Sequence, residues 1–446
     1  LYARVRGPCE TPAVANLPAQ HRFSAAGWQP VPADGPPAAG WQVAGMPNLH
    51  SHAFQRAMAG LAERQSHPED SFWTWRELMY RFAGRITPEA MQAVATQLYV
   101  EMLEAGYTSV CEFHYLHHQL DGRPYSDPAL MSRVLIAAAR EAGIRMTLLP
   151  VLYMSGGFDG RALSERQRRF GHGVDDYLAL VQLLRAHEDD QLAVGIALHS
   201  LRAVPAPAMR EVLEALAGQG LPIHIHVAEQ IGEVQDCLAL RGARPVEWLL
   251  ANADVNPHWT LVHATHLEPA EVQGIARSGA TVAICPTTEA NLGDGLFPLR
   301  DFLGAGGHWG IGSDSHVSVS PVEELRWLEY GQRLRTRHRT IATSAQQPSN
   351  GELLYQQALQ GGLRASGQAA GAAADFIVLE EQAPALAGAT QLDVLDRLVF
   401  AGNRPLVAET WVGGQRVVAQ GRHRKREQVA KEYARAMTQL LADEPL

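Results

Sequence analysis

The sequence predicts an α/β chain whose main body is a (β/α)8 TIM-type barrel, joined to a small, discontinuous β-sandwich-like domain. Three observations lead there. Eight apolar or β-branched runs alternate with stretches of helical period, the pattern of a parallel sheet wrapped in helices. A length of 446 residues suits such a barrel with insertions and a small accessory unit. Beyond the last run, two segments of strict alternation flank Gly413-Gly414 and read as an antiparallel hairpin outside the barrel.

Taken in order, the opening stretch to Gly40 is rich in Pro, Ala and Gly and poor in periodicity, so it is expected to be partly irregular. Residues 1–45 are assigned to the small domain and 46–368 to the barrel. The strand candidates are VAGMPNL, GYTSVCEF, IRMTLLPVLY, LAVGIALHS, LPIHIHV, TLVHA, TVAICP and HWGIGSD. Between the first two, Thr87 can cap a helix that starts at Pro88, carries apolar residues at Met91, Val94, Leu98 and Met102, and stops at Gly106. After the last strand come a helix from about Pro321, the polar loop TSAQQPSN and a second helix from about Gly351. Residues 369–446 complete the small domain: ADFIVLE and ETWVGGQRVV as strands pairing with the chain's first 45 residues, then a charged helix around Arg424 to Leu441.

Composition narrows the partners. A hydrophobic fraction of 46% with 19% charged residues is ordinary for a soluble enzyme. The net charge of -9, without a basic stripe, argues against nucleic acid or an anionic membrane. No apolar run is long enough to span a bilayer, and no basic-then-apolar leader is evident. Cys9, Cys111, Cys237 and Cys285 are far apart and form no C-x-x-C pair, so the cytoplasm is expected, with a small molecule as substrate.

Four short segments carry the chemistry: NLHSH, HIHVAEQ, LVHATH and GSDSH. His50 and His52 are two apart, so both side chains leave an extended strand on one face and can chelate one ion. His224 and His226 share a face too; His226 is favoured as a ligand because it is nearer the strand's C-terminal end, with His224 a core histidine one layer deeper. Glu229 is placed to reach a water without ligating. His263 alone would read as structural and Asp314 alone as a turn residue. What changes this is that the four segments fall at the C-terminal ends of different strands, on one shared rim. His50, His52, His226 and Asp314 form the expected metal set for one Zn²⁺, with Fe²⁺ an alternative. The ion would lower a water's pKa towards about 7. Asp314 would accept a proton, His263 polarise the nucleophile, and Glu229 carry a proton to a departing nitrogen.

At this point the order HxH, HxxE, H, D resembles the deaminase branch of the amidohydrolase superfamily, with a mononuclear site. More closely, PNLHSHAFQRAMAG, FWTWRELMYRF, CEFHYLHH, ALHSLRAVP, PIHIHVAEQ and SDSHVSVSPVEELRWLEYGQRL are similar to the N-formimino-L-glutamate deiminases of histidine degradation, over about Met46 to Arg335. The resemblance implies hydrolysis of a formimino C=NH group to N-formyl-L-glutamate and ammonia, with Gln55, Arg76, Tyr115, His199 and Arg202 as substrate contacts. A dicarboxylate substrate calls for arginine forks, which agrees. Without the resemblance, Arg76 reads as a solvated helix charge, and Trp73 and Trp75 as core. A ring aminohydrolase of guanine, cytosine or adenosine type is the nearest rival, and a barrel retained only for metal binding or assembly is the rival of another class. A homodimer is expected by analogy with other barrels that carry an accessory sheet.

Overall fold

Runs such as Tyr107–His114 and Arg145–Leu152 are buried at every position, as strands covered on both faces must be. The computed structural model describes residues 21–31, 39–65, 68, 71–372 and 374–442. In it, Met46–Ser51, Tyr107–His114, Arg145–Leu152, Ile196–Ser200, Ile223–Val227, Trp259–His263, Thr281–Ile284 and His308–Ile311 follow one another as parallel neighbours. The ring is drawn shut where it matters. Asp314 N–H donates to the His50 carbonyl at 2.9 Å, and His52 N–H to the Asp314 carbonyl at 3.2 Å. The seam between first and last strands therefore runs through predicted site residues.

Two of the predicted runs are divided. In VAGMPNL, Gln42–Ala44 belongs to the second sheet and Met46–Ser51 to the barrel. The switch is at Gly45, where a Cβ would collide with the Thr108 side chain. In LAVGIALHS, Gly195 separates Leu192–Val194 from Ile196–Ser200, and both pieces pair with the same barrel strand.

The second sheet has seven strands in the order Arg422–His423, Gln415–Ala419, Val407–Val412, Phe376–Leu379, Gln42–Ala44, His21–Ser24, Gly27–Pro30. All pairs are antiparallel except His21–Ser24 with Gln42–Ala44. It thus joins late and early parts of the chain through Phe376–Leu379 against Gln42–Ala44. Gly413 and Gly414 take φ of 56° and 75°, the left-handed pair that a two-residue hairpin needs. The Arg145–Asp375 ion pair, at 2.6 Å and buried on both sides, ties the barrel to the segment entering this sheet.

Helix signals read from the sequence hold in detail. Thr87 caps Pro88–Ala105 by accepting from Ala90 N–H at 3.2 Å, and Gly106 ends it with φ of 105°. Helices Pro321–Thr336, Asn350–Ala365 and Arg426–Leu441 stand where expected. Helix Phe72–Ala83, capped by Ser71, packs on the turn Ala53–Met58 that follows the first barrel strand, which sets it over the barrel mouth. Cys111, Cys237 and Cys285 are buried and unpaired. The opening stretch up to residue 20, Cys9 included, is outside the described residues. Among the described residues no helix is long and apolar enough to cross a membrane.

Candidate active site

His50 and His52 leave the end of Met46–Ser51 on one face, while Ser51 between them turns outward and donates to Glu112 Oε2 at 2.5 Å. His52 Nδ1 is 2.9 Å from the Phe113 carbonyl, and His226 Nδ1 is 2.9 Å from the His199 carbonyl. A carbonyl only accepts, so both Nδ1 atoms carry hydrogen and both Nε2 atoms present lone pairs. These converge: His50 Nε2 is 3.1 Å from His52 Nε2 and 3.0 Å from His226 Nε2. Asp314 Oδ1 adds a carboxylate oxygen 3.4 Å from the Nε2 atoms of His50 and His52. Ligands about 2.0–2.1 Å from a tetrahedral zinc are roughly 3.3 Å apart, so the spacing fits one small divalent ion. Without a cation between them, lone pairs at this distance repel. Burial also pushes the His50 and His226 pKa values well down, favouring the neutral form that ligates.

Beside this group, His263 Nε2 is 3.7 Å from Glu229 Oε1 and 3.8 Å from Asp314 Oδ2. Its other nitrogen, Nδ1, faces Glu289 Oε1 at 3.3 Å, and the same oxygen accepts Cys285 N–H at 2.9 Å. Glu289 thereby fixes the ring with Nε2 turned to the site. Burial opposes a charge on His263, but Glu229, Glu289 and Asp314 together outweigh it and lift its pKa to about 10. Glu229 departs from a free carboxyl: burial, with Asp314 and Glu233, pushes it up to about 7 against the pull of His263 and Arg202. The backbone is bent to make this rim. Ala228, His263, Ala264 and Asp314 take φ of 53°, 66°, 47° and 45°, left-handed values that cost non-glycine residues of order 1–3 kcal/mol each and cluster where function holds them. Glu233 secures one bend by accepting the N–H groups of Ala228 and Glu229, each at 3.1 Å.

A cavity opens onto these residues. Gln55, Arg76, Tyr115, His199 and Arg202 all line it. Gln55 donates to the Tyr115 hydroxyl at 2.9 Å, leaving its buried Oε1 without a partner. His199 Nδ1 meets Ser200 Oγ at 3.0 Å. Arg76 lies over the Trp73 ring, 4.5 Å from its centroid, and its buried Nε has no hydrogen-bond partner among the described residues. Both guanidinium groups are half-buried and line the cavity; among the described residues neither makes an ion pair within 4 Å, although Arg202 is close enough to Glu233 and Glu229 to lower the pKa of each. Two such cations call for an anion.

All the site residues read from the sequence thus meet in one place. His224 does not join them: it is buried one layer down, with Nε2 3.4 Å from the Ala365 carbonyl, as expected of a core histidine. The reading of Trp73 and Trp75 as core needs correction. Trp73 is 41% exposed and Trp75 lines the cavity, because helix Phe72–Ala83 covers the barrel mouth instead of its flank. For the same reason Arg76 is no solvated helix charge. Sequence reasoning missed Glu289, Glu233, Tyr80 and Tyr153. Glu289 stands in the first turn of Pro286–Leu292, where a carboxylate is ordinary, so only its complete burial marks it.

Comparison with known proteins shows the family. The model of the amidohydrolase family matches residues 41–417. The formimidoylglutamate deiminase of Pseudomonas aeruginosa is 54% identical over 403 residues, covering 89% of each chain. The crystal structure of an amidohydrolase from Brucella melitensis is 44% identical and superposes with a TM-score of 0.88, covering 95% of this chain and 98% of the other. An adenosine deaminase from Xanthomonas campestris, solved with bound zinc, shares the fold at a TM-score of 0.74 and 21% identity, covering 90% of this chain and 86% of its own.

Proposed function

We propose a function from one premise: this chain belongs to the amidohydrolase family. Our reading is that it hydrolyses N-formimino-L-glutamate to N-formyl-L-glutamate and ammonia, the deimination step of histidine degradation. A relative named formimidoylglutamate deiminase, 54% identical over 89% of the chain, supports that substrate. The observation that carries the reading is the pair of guanidinium groups, Arg76 and Arg202, lining the cavity that also holds the His/Asp/Glu rim, neither closed into an ion pair among the described residues. A substrate with two carboxylates matches them, whereas a neutral ring would offer neither guanidinium a charged partner.

In this account His50, His52, His226 and Asp314 hold one divalent ion, most simply Zn²⁺ with Fe²⁺ as the alternative. When bound it would supply Lewis acidity and make water a nucleophile at neutral pH. The chain's own groups do the rest. Arg76 and Arg202 take the carboxylates, while Gln55, Tyr115 and His199 set the formimino carbon against the rim. Asp314 accepts a proton from the attacking water as the C–O bond forms. His263, anchored on Glu289, stabilises the charge that develops on oxygen. Glu229 passes a proton to the imino nitrogen as water adds, the proton held by Asp314 converts the resulting amine to ammonia, the C–N bond breaks, and the hydroxyl proton returns to Glu229 as the formyl C=O closes.

The direct test compares ammonia release from N-formimino-L-glutamate with release from guanine, cytosine and adenosine. Turnover confined to the first is expected. A faster rate on any of the rings would replace this reading with that of a ring aminohydrolase.

A further inference from the structure

The substrate end of the cavity contains two more polar groups, the hydroxyls of Tyr80 and Tyr153, and one buried amide controls where their hydrogens point. Gln167 lies in the short turn Glu165–Phe170. Its Oε1 accepts Ser164 N–H at 3.0 Å and the Ser164 hydroxyl at 2.9 Å. A backbone N–H can only donate, so the amide cannot be turned around. Its Nε2 then faces the other way, 3.2 Å from the Tyr80 hydroxyl oxygen and 3.0 Å from that of Tyr153. Both N–H bonds are donated, and both phenolic oxygens act as acceptors. Neither phenol has an acceptor for its own hydrogen among the described residues, and both rings line the cavity.

The cavity is therefore divided by hydrogen-bonding polarity. At the rim stand acceptors, the carboxylates of Glu229 and Asp314. Away from it stand four donors, two guanidinium groups and two phenols; the remaining carboxylate of the lining, Glu233, has both oxygens engaged by the N–H groups of Ala228 and Glu229. Arg76 and Tyr80 are one helical turn apart on the same face, with the guanidinium 5.6 Å from the Tyr80 ring centroid. Tyr153 follows the strand Arg145–Leu152 and packs on His199 with ring centroids 4.4 Å apart. Burial, with Tyr80 adding to it and Arg202 and Arg76 opposing, pushes the Tyr153 hydroxyl up to about 12, so it stays protonated at neutral pH.

We infer that Tyr80 and Tyr153 donate hydrogen bonds to a substrate carboxylate alongside Arg76 and Arg202, and that Gln167 is the positioning residue that aims them. The inference rests on the dicarboxylate reading above and adds the residues that discriminate for it. A cationic amidine head beside carboxylates and a dianionic tail beside donors is the substrate polarity that this division selects.

The test uses the full chain with metal supplied, and the variants Tyr80→Phe, Tyr153→Phe and Gln167→Glu. Each Phe variant removes one neutral donor to a charged acceptor, so KM for N-formimino-L-glutamate should rise roughly 10- to 100-fold with kcat within about threefold. In Gln167→Glu the new carboxylate draws both phenolic hydrogens away from the cavity, and KM should rise at least as much as in the double Phe variant. Two shortened substrates separate recognition from packing: N-formimino-4-aminobutyrate, lacking the α-carboxylate, and N-formimino-2-aminobutyrate, lacking the distal one. The Phe penalty should vanish on one of them. An equal penalty on all three substrates, or an unchanged KM in both Phe variants, would overturn the inference. Calorimetric binding of glutarate keeps this failure separate from failure of the functional reading. Glutarate binding weakened in the Phe variants supports the donor pair even if the wild-type protein turns over nothing, and equal binding refutes it.

Discussion

Replacing Glu229 by Gln isolates the proton-carrying step. The change preserves shape and removes only the titrating oxygen. Among the described residues Glu229 belongs to none of the three His-containing groups that could hold an ion, and its backbone N–H stays held by Glu233 at 3.1 Å, so metal content and fold should be unchanged. A positioned acid or base contributes about 10²–10⁴-fold, or about 2.7–5.4 kcal/mol at 1.36 kcal/mol per decade. The surroundings locate the expected loss within that span. Neither nearby carboxylate can take over: both oxygens of Glu233 accept backbone N–H groups, and Asp294 is engaged by Gln230. His263, with Nε2 3.7 Å from the Glu229 oxygen and 3.8 Å from Asp314, is able to relay part of the proton traffic. The middle of the range follows, a fall in kcat of roughly 10³-fold with KM within about threefold. Steady-state ammonia release, with metal measured by atomic absorption, reads both quantities. A kcat within tenfold of the wild type would refute the assignment, and loss of metal would make Glu229 a ligand.

Other consequences are as specific. Arg202→Met should raise KM by roughly 100-fold or more while lowering kcat far less, since it removes a charged contact made in both ground and transition states; an unchanged KM would place the carboxylate clamp elsewhere. Chelation should abolish turnover, and restoring Zn²⁺ at about 1,000 times its dissociation constant should return activity and stabilise the fold by about 4 kcal/mol, read as a higher unfolding temperature; an unmoved unfolding temperature would contradict a site built for a metal. Asp375→Ala strands the buried Arg145 guanidinium, which loses its 2.6 Å partner. The expected destabilisation is about 3–5 kcal/mol, seen as a lower urea midpoint with KM unaffected; a wild-type midpoint would show that water reaches the pair. Cys111, Cys237 and Cys285 are buried, with thiols that burial pushes up to about 12, up to about 11 and well up respectively. In a Cys9→Ser protein none should react with a thiol reagent at pH 7.5 until the chain is unfolded, and labelling of the native protein would contradict that burial.

The candidate metal set was legible because its residues obey local rules. An HxH at the end of an apolar strand, a second histidine near the end of another and an Asp after GIGS each say where a side chain leaves a barrel, and strand order brings them together. Element ends were legible for the same reason, as Thr87, Pro88 and Gly106 show. What depends on tertiary placement was not. The amphipathic period of Phe72–Ala83 says that one face is covered, but not that a cavity covers it, so Trp75 and Arg76 read as core and solvent. Gln167 lies in ERQRRF, a stretch whose charges suggest surface, yet its amide is buried and joins three segments distant in sequence. Substrate contacts such as Gln55 and Tyr115 came from resemblance alone, because nothing in their local spacing distinguishes them from packing residues.

The central claim is hydrolysis at the imino nitrogen of a dicarboxylate amidine, and product identity tests it most directly. Metal-loaded protein should be given N-formimino-L-glutamate and the products identified by mass and by ammonia assay. The account predicts N-formyl-L-glutamate and one equivalent of ammonia; L-glutamate with formamide would contradict it, because the other C–N bond would have been cut.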